Sequence, residues 1–246
     1  MYLYYNPFYL LILLPGLLLG IIAQIMVSVR FKRYSKVQSR SGVTGSELAS
    51  RLLNEYGAQG VVVRPASGSL TDNYDPRNYT LNLSEPVYGS SSVAALGVAA
   101  HECGHAVQDA EGYVPLKIRS FLVKVTNIGT TLSVPLVILG VLLEWLAYGA
   151  NSAGLTLFSE ILILIGIFGY GLSTIFALVT LPVEFNASRR GLAMLKETGT
   201  LEKGEVRGAR RVLTAAAMTY VASFVTSLLY FLRFLMIVAS MRQKKR

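Results

Sequence analysis

The chain has 246 residues, of which 52% are hydrophobic and only 15% charged, and its mean hydropathy is +0.48. That balance excludes an ordinary soluble domain, in which charged residues make up about 25%. The net charge of +9 comes from residues flanking apolar runs and not from a folded basic module, which argues against nucleic acid as a partner, and a single cysteine rules out an intramolecular disulfide.

The first apolar run, Phe8 to Val29, has no charged residue and is about long enough to cross a hydrocarbon core near 30 Å thick. It lacks a basic leader and a small-x-small cleavage site, so a retained transmembrane anchor is expected over residues 1–29. Arg30, Lys32, Arg33, Lys36 and Arg40 follow it directly, which places its carboxyl end in the cytoplasm and the amino terminus outside.

Residues 30–120 are polar enough for a small folded unit. Thr44-Gly45-Ser46-Glu47 reads as a capping start for a packing helix to about Tyr56, with Leu48, Leu52 and Leu53 on one face. Val61-Val62-Val63 and Tyr79 to Leu83 suggest two strands, and Asp75-Pro76-Arg77-Asn78 the turn before the second. A helix from about Ser92 to Asp109 then carries His101-Glu102-Cys103-Gly104-His105, which holds both histidines of the chain. At i and i+4 two imidazoles share one helix face and can reach one metal ion, with Glu102 beside the water position, as in zinc-dependent hydrolases. Cys103 turns away from that face and reads as a small buried core residue. Gly104 permits close approach of backbone or metal.

Two apolar segments, about Val125 to Tyr148 and Leu155 to Leu181, flank the turn-forming stretch Gly149-Ala150-Asn151-Ser152-Ala153-Gly154 and read as a transmembrane hairpin over residues 121–182. Basic residues Arg189, Arg190, Lys196, Lys203, Arg207, Arg210 and Arg211 follow it, again on the cytoplasmic side. Residues 183–211 then return to the catalytic unit, and 212–246 form a last hydrophobic helix, about Val212 to Val238, with the basic tail Arg242-Gln243-Lys244-Lys245-Arg246. The tail's charge opposes a full crossing, which leaves crossing, re-entrant and interfacial placements open.

A site with two histidines needs a third ligand. After the motif the carboxylates are Asp109, Glu111, Glu144, Glu160, Glu184, Glu197, Glu202 and Glu205. Asp109 and Glu111 lie too close along the same helix end to turn back on a metal, and Glu144 and Glu160 fall near the hairpin tip, across the membrane. Glu184, ending the second hairpin helix on the cytoplasmic side, is the best candidate for the metal; capping a helix start near Pro182 is the competing role, and one side chain could serve both.

The chain also resembles the YugP-like membrane zinc metallopeptidases. The likeness rests on Thr71-Asp72-Asn73-Tyr74-Asp75-Pro76-Arg77, Leu83-Ser84 with Val87-Tyr88, Ala99-Ala100 through Ala106 with Gln108, Gly112-Tyr113 with Pro115-Leu116, and Leu181-Pro182-Val183-Glu184-Phe185. It looks, more broadly, like the HtpX type of gluzincin, with a membrane hairpin inserted between the histidines and the third ligand. The resemblance implies zinc held by His101, His105 and Glu184, Glu102 as general base, and a polypeptide substrate, with membrane proteins as the expected class.

The expected fold is an α-helical, multi-pass integral membrane protein with about four hydrophobic helices and a small α+β zincin-like catalytic unit, its HExxH helix preceded by a short β-sheet. Tyr74, Tyr79, Tyr88, Tyr113, Arg189 and Arg190 are candidate donors to an oxyanion. Asn186 is a candidate to orient a histidine through its other ring nitrogen. The strand from Tyr79 to Leu83 is the expected edge for pairing with an extended substrate. A catalytically silent zinc scaffold and a transporter are the alternatives; the first leaves Glu102 without a purpose, and the second finds only Arg233 and scattered Ser and Thr in membrane segments.

Overall fold

The computed structural model describes the backbone of residues 13–244 and the side chains of residues 14–236. The beginning of the first apolar run, from Phe8, and the tail residues Lys245 and Arg246 lie outside the described residues.

In chain order the elements are α1 (Leu13–Tyr34), α2 (Gly45–Glu55), β1 (Val62–Ala66), β2 (Asn73–Asp75), β3 (Thr80–Ser84), α3 (Glu85–Tyr88), α4 (Val93–Ala110), α5 (Val114–Ala150), α6 (Ala153–Glu197) and α7 (Lys203–Lys244). Among the described residues, α1, α5, α6 and α7 are the four helices long and apolar enough to cross a membrane. The chain divides into two compact units. The helical unit takes the described parts of Met1–Gly20, Ile118–Val179 and Ala222–Arg246; the mixed unit takes Ile21–Lys117 and Thr180–Val221.

The helical unit exposes its apolar side chains. Trp145 is 75%, Phe168 72% and Phe121 69% exposed, so these helices need an apolar surrounding other than the protein itself. Where they touch, they do so through small residues and carbonyls. Ser133 Oγ donates to Gly166 O at 2.7 Å, Thr226 Oγ1 donates to Gly16 O at 3.1 Å, and a Cβ on Gly169 would come within 2.7 Å of Gly129 O. Glycine at such contacts lets backbones approach where no hydrophobic force acts between helices. The expected hairpin loop is shorter than its composition suggested: α5 runs to Ala150, Asn151 turns with φ 47°, and the Ser152 hydroxyl accepts from Leu155 N at 3.4 Å to open α6.

The mixed unit holds the buried core. Helix α2 starts with a full capping box, Thr44 and Glu47 each accepting the other's backbone N–H, and buries Leu48, Leu52 and Leu53. Its sheet runs β1-β3-β2, with β1 parallel and β2 antiparallel to β3. Strand β2 was missed in the sequence because three polar-flanked residues carry no alternation. Its presence overturns one expectation: the strand expected from Tyr79 to Leu83, found as β3 at Thr80–Ser84, is central, paired with β1 along its length and with β2 over Thr80–Asn82, and is not an edge strand for a substrate. Leu81 and Leu83 are fully buried, and the Asp72 carboxylate fixes the end of the strand by accepting from Ser84 N at 2.7 Å and from its hydroxyl at 2.9 Å.

Helix α4 opens with Ser92 accepting from Ala95 N at 3.3 Å, and from Ser92 to Gln108 only Val98 and His101 are partly exposed. It is surrounded by α2, the sheet, and the parts of α6 and α7 that belong to this unit, with Leu96, Leu195, Ala209 and Val212 in one cluster. Helix α6 does not end near Leu181: it continues through Pro182 to Glu197. Proline lacks one N–H and ordinarily stops a helix, but here the turns beyond it are held by packing, Val183 and Ala187 being fully buried. Glu184 is therefore an interior residue of a long helix, neither its last residue nor an amino-terminal cap.

Candidate metal centre

Two helices of the mixed unit build the site. Along α6, Glu184, Ala187, Ser188 and Gly191 recur at i, i+3, i+4 and i+7 and so share one face. A Cβ on Gly104 would meet Ala187 O at 2.5 Å, and one on Gly191 would meet Ala100 O at 2.7 Å and His101 N at 2.9 Å. The two backbones thus touch at two levels, Gly104 on Ala187 and Gly191 on Ala100, and the close approach at Gly104 is to backbone. That double contact sets Glu184 opposite the two histidines.

The imidazoles of His101 and His105 stand edge to face, 4.8 Å between ring centres. Their Nε2 atoms lie 3.4 Å and 3.6 Å from Glu184 Oε2, and one ligand atom from each of the three residues falls within 4.8 Å of the others. These separations exceed an ordinary N–H···O hydrogen bond. They match a shared ion: with ligand bonds of 2.0–2.1 Å, the donors of a tetrahedral zinc are about 3.3 Å apart. Two neutral imidazole nitrogens and a carboxylate oxygen are also a donor set suited to zinc. Glu184 is 2% exposed, and a carboxylate so buried requires a cationic partner. The residues present fit the metal.

Residues 9–239 match the family described as "Putative neutral zinc metallopeptidase". The chain is also 41% identical over 222 residues to "Putative membrane protease YugP" of Bacillus subtilis (strain 168), an alignment spanning 90% of this chain and 92% of that protein. The chain belongs to this family of zinc metallopeptidases. No solved structure matches it.

Around His101, His105 and Glu184 lies a set of polar contacts, most of them between residues distant in sequence. Ser188 Oγ is 3.0 Å from His101 Nδ1, and Gln108 Oε1 is 3.0 Å from His105 Nδ1. Asn186, expected to orient a histidine, does not reach one: its Oδ1 accepts from Gln108 Nε2 at 2.9 Å and from Arg190 Nε at 2.7 Å. Helical spacing could have revealed both new residues, since Gln108 is i+3 from His105 and Ser188 is i+4 from Glu184.

Glu102, beside His101 on α4, is 8% exposed. Among the candidate oxyanion donors, Tyr74 is committed elsewhere: its hydroxyl donates to Asp109 Oδ2 at 2.8 Å. Burial and that carboxylate push the phenol pKa well above its ordinary value. Arg190 is engaged by Asn186 and by the Glu111 carboxylate, its NH2 2.7 Å from Glu111 Oε2, and this contact draws the pKa of the Glu111 carboxyl down. Tyr79 sits on an exposed turn with φ 49°, and Arg189 is exposed. Cys103 is fully buried, its thiol 3.7 Å from Ala49 O, and burial first and the Glu102 charge second raise the pKa of the thiol far above its usual range. It is a core residue, as its place in the motif implies.

Proposed function

We propose that this protein is a membrane-anchored, zinc-dependent endopeptidase that cleaves membrane or membrane-associated proteins at the cytoplasmic face. The observation carrying this reading is the meeting of His101, His105 and Glu184, from helices separated by the whole α5–α6 hairpin in sequence, at spacings suited to one ion. The same reading takes the three-stranded sheet and α4 as a zincin-like unit.

What zinc supplies when bound is Lewis-acid polarisation of a peptide carbonyl and of water. His101, His105 and Glu184 would hold it. Glu102, close to the metal face yet not one of the ligands, would take a proton from the attacking water and deliver it to the leaving amine nitrogen. The mostly apolar packing around α4 keeps competing water from the buried side of the site.

An extended substrate needs a strand edge, and β2 is the edge tied to α4, through Tyr74 and Asp109. Main-chain pairing there would tolerate many side chains and fit cleavage of exposed tails or unfolded loops. The basic residues after α1 and around Arg189 to Arg211 support a cytoplasmic placement by the positive-inside rule.

Metal content of the detergent-purified protein beside a Glu184→Ala variant tests the reading. One zinc per chain that is lost in the variant is the expected result. No zinc in folded parent protein would remove the peptidase function and leave a membrane scaffold.

A further inference from the structure

The polar contacts behind His105 form a chain whose hydrogen-bond directions are all determined. Arg190 can only donate, so the atom of Asn186 that it meets at 2.7 Å must be the acceptor, Oδ1. That same Oδ1, 2.9 Å from Gln108, therefore receives a proton from Gln108 Nε2. A second anchor gives the same answer independently: Gln108 Nε2 is 2.9 Å from the main-chain oxygen of Val183, which can only accept. Both amide hydrogens of Gln108 are spent, and the opposite end of the amide, Oε1, faces His105 Nδ1 at 3.0 Å. An amide oxygen only accepts, so Nδ1 must carry the proton. Turning the Gln108 amide over would set oxygen against oxygen at both Val183 and Asn186. Gln108 is fully buried, so water cannot relieve that clash.

We infer that Gln108 is a positioning residue, anchored by Val183 on one side and by Asn186 and Arg190 on the other, which fixes His105 as the Nδ1–H tautomer and leaves the Nε2 lone pair for the metal. The inference rests on the metal-site reading above and adds to it the residues that prepare one ligand before any ion arrives. The chain continues outward: Arg190 NH1 donates to Glu111 Oε1 at 2.9 Å, at the carboxyl end of α4, so the helix that carries the histidines and the helix that carries Glu184 are joined by the same network. His101 differs. Its Nδ1 meets the Ser188 hydroxyl, which can donate or accept, so nothing on that side prescribes the tautomer. Of the two histidines, His105 is the prearranged one.

The test uses the full-length protein in detergent, with zinc affinity measured by chelator competition. Gln108→Leu removes the acceptor at His105, and the expected result is a loss of about 10- to 100-fold in affinity. Asn186→Asp keeps an acceptor for both Gln108 and Arg190 and is expected to bind zinc like the parent, whereas Asn186→Leu is expected to bind more weakly. This pair keeps the test decisive should Gln108→Leu fail to fold. A second readout needs no variant: metal-free protein labelled with ¹⁵N-histidine, at a pH where the rings are neutral, should show His105 protonated at Nδ1.

Parent-like affinity in a folded Gln108→Leu, parent-like affinity in Asn186→Leu where Gln108→Leu does not fold, or a His105 protonated at Nε2 in the metal-free parent would overturn the inference. If zinc is bound by the parent and lost in Glu184→Ala while both leucine variants retain it, only the positioning role falls. If the parent itself binds no zinc, the metal-site reading falls first.

Discussion

The helical unit and the mixed unit solve the same packing problem with opposite surroundings. Both bring helices close through glycine: Gly166 would place a Cβ 2.8 Å from Ser133 O in the first, and Gly191 would place one 2.7 Å from Ala100 O in the second. In the helical unit the faces away from these contacts are exposed apolar side chains such as Trp145 and Phe168, while in the mixed unit they are a buried core of Leu83, Leu96 and Leu195. The difference teaches where chemistry can be placed. A buried carboxylate such as Glu184 is sustainable where a fixed set of polar partners surrounds it, and close backbone contact there sets its distances to the two histidines.

The largest effect expected lies in the site itself. Under the proposed mechanism, Glu102→Gln keeps the shape of the site but removes the proton acceptor, so cleavage of a fluorogenic peptide or a denatured protein substrate should fall by about 10²- to 10⁴-fold. Zinc content should stay at the parent level. An unchanged rate would place the base elsewhere and detach the motif from catalysis.

The two kinds of apolar surface give the next contrast. Leu83→Ala, at a fully buried position of β3, should cost about 2–5 kcal/mol in the mixed unit through lost transfer energy and the cavity left behind. Phe168→Ala, at a side chain 72% exposed on α6, should cost much less, because a ring already exposed in the folded protein gives up little packing when it is removed. Unfolding in mixed detergent measures both; equal losses would mean that the helical unit's outer face is covered by protein.

Glycine contacts sharpen the comparison further. Gly191→Ala and Gly166→Ala each force a methyl group into a space already filled, by backbone at Gly191 and by the Val137 side chain and Ser133 O at Gly166, at a cost of about 1–3 kcal/mol. Both variants should therefore be less stable. Only Gly191→Ala should also weaken zinc binding, because moving α6 away from α4 separates Glu184 from the histidines. Weakened binding in both variants would show that the metal site depends on the packing of the helical unit as well.

What could be seen in the sequence divides along the same line. The apolar runs, the capping box at Thr44 and the histidine pair were legible because each is a local pattern whose meaning is set by helix or membrane geometry. Glu184 stood out because so few acids follow the motif and because its place after the hairpin returns it to the side of the histidines. The rest depends on contacts distant in sequence. Asn73-Tyr74-Asp75 becomes a strand only because β3 lies beside it, and Pro182 fails to stop α6 because α4 holds the turns beyond it. Gln108 is part of the motif that carries the resemblance, but its role is not legible there, since Val183 and Asn186, which define its orientation, lie more than seventy positions away.

The smallest effects test how each surrounding values a single side-chain hydrogen bond. Thr44→Ala removes the α2 cap, whose hydroxyl accepts from Glu47 N at 3.3 Å in a water-facing turn, and should cost about 1 kcal/mol. Ser133→Ala removes a hydroxyl that is fully enclosed between α5 and α6 and donates to Gly166 O at 2.7 Å. Its shorter bond and dry surroundings argue for a larger loss than at Thr44. The reference state argues the other way: separated in the membrane, α5 can satisfy Ser133 within its own helix, and interhelical bonds of this kind average about 0.6 kcal/mol. The carbonyl left behind at Gly166 also keeps its place in the α6 ladder, so no acceptor is stranded. We therefore expect Ser133→Ala to be the milder of the two in mixed-detergent unfolding. A loss at Ser133 well above that at Thr44 would show that this one bond, and not glycine packing, holds the hairpin together.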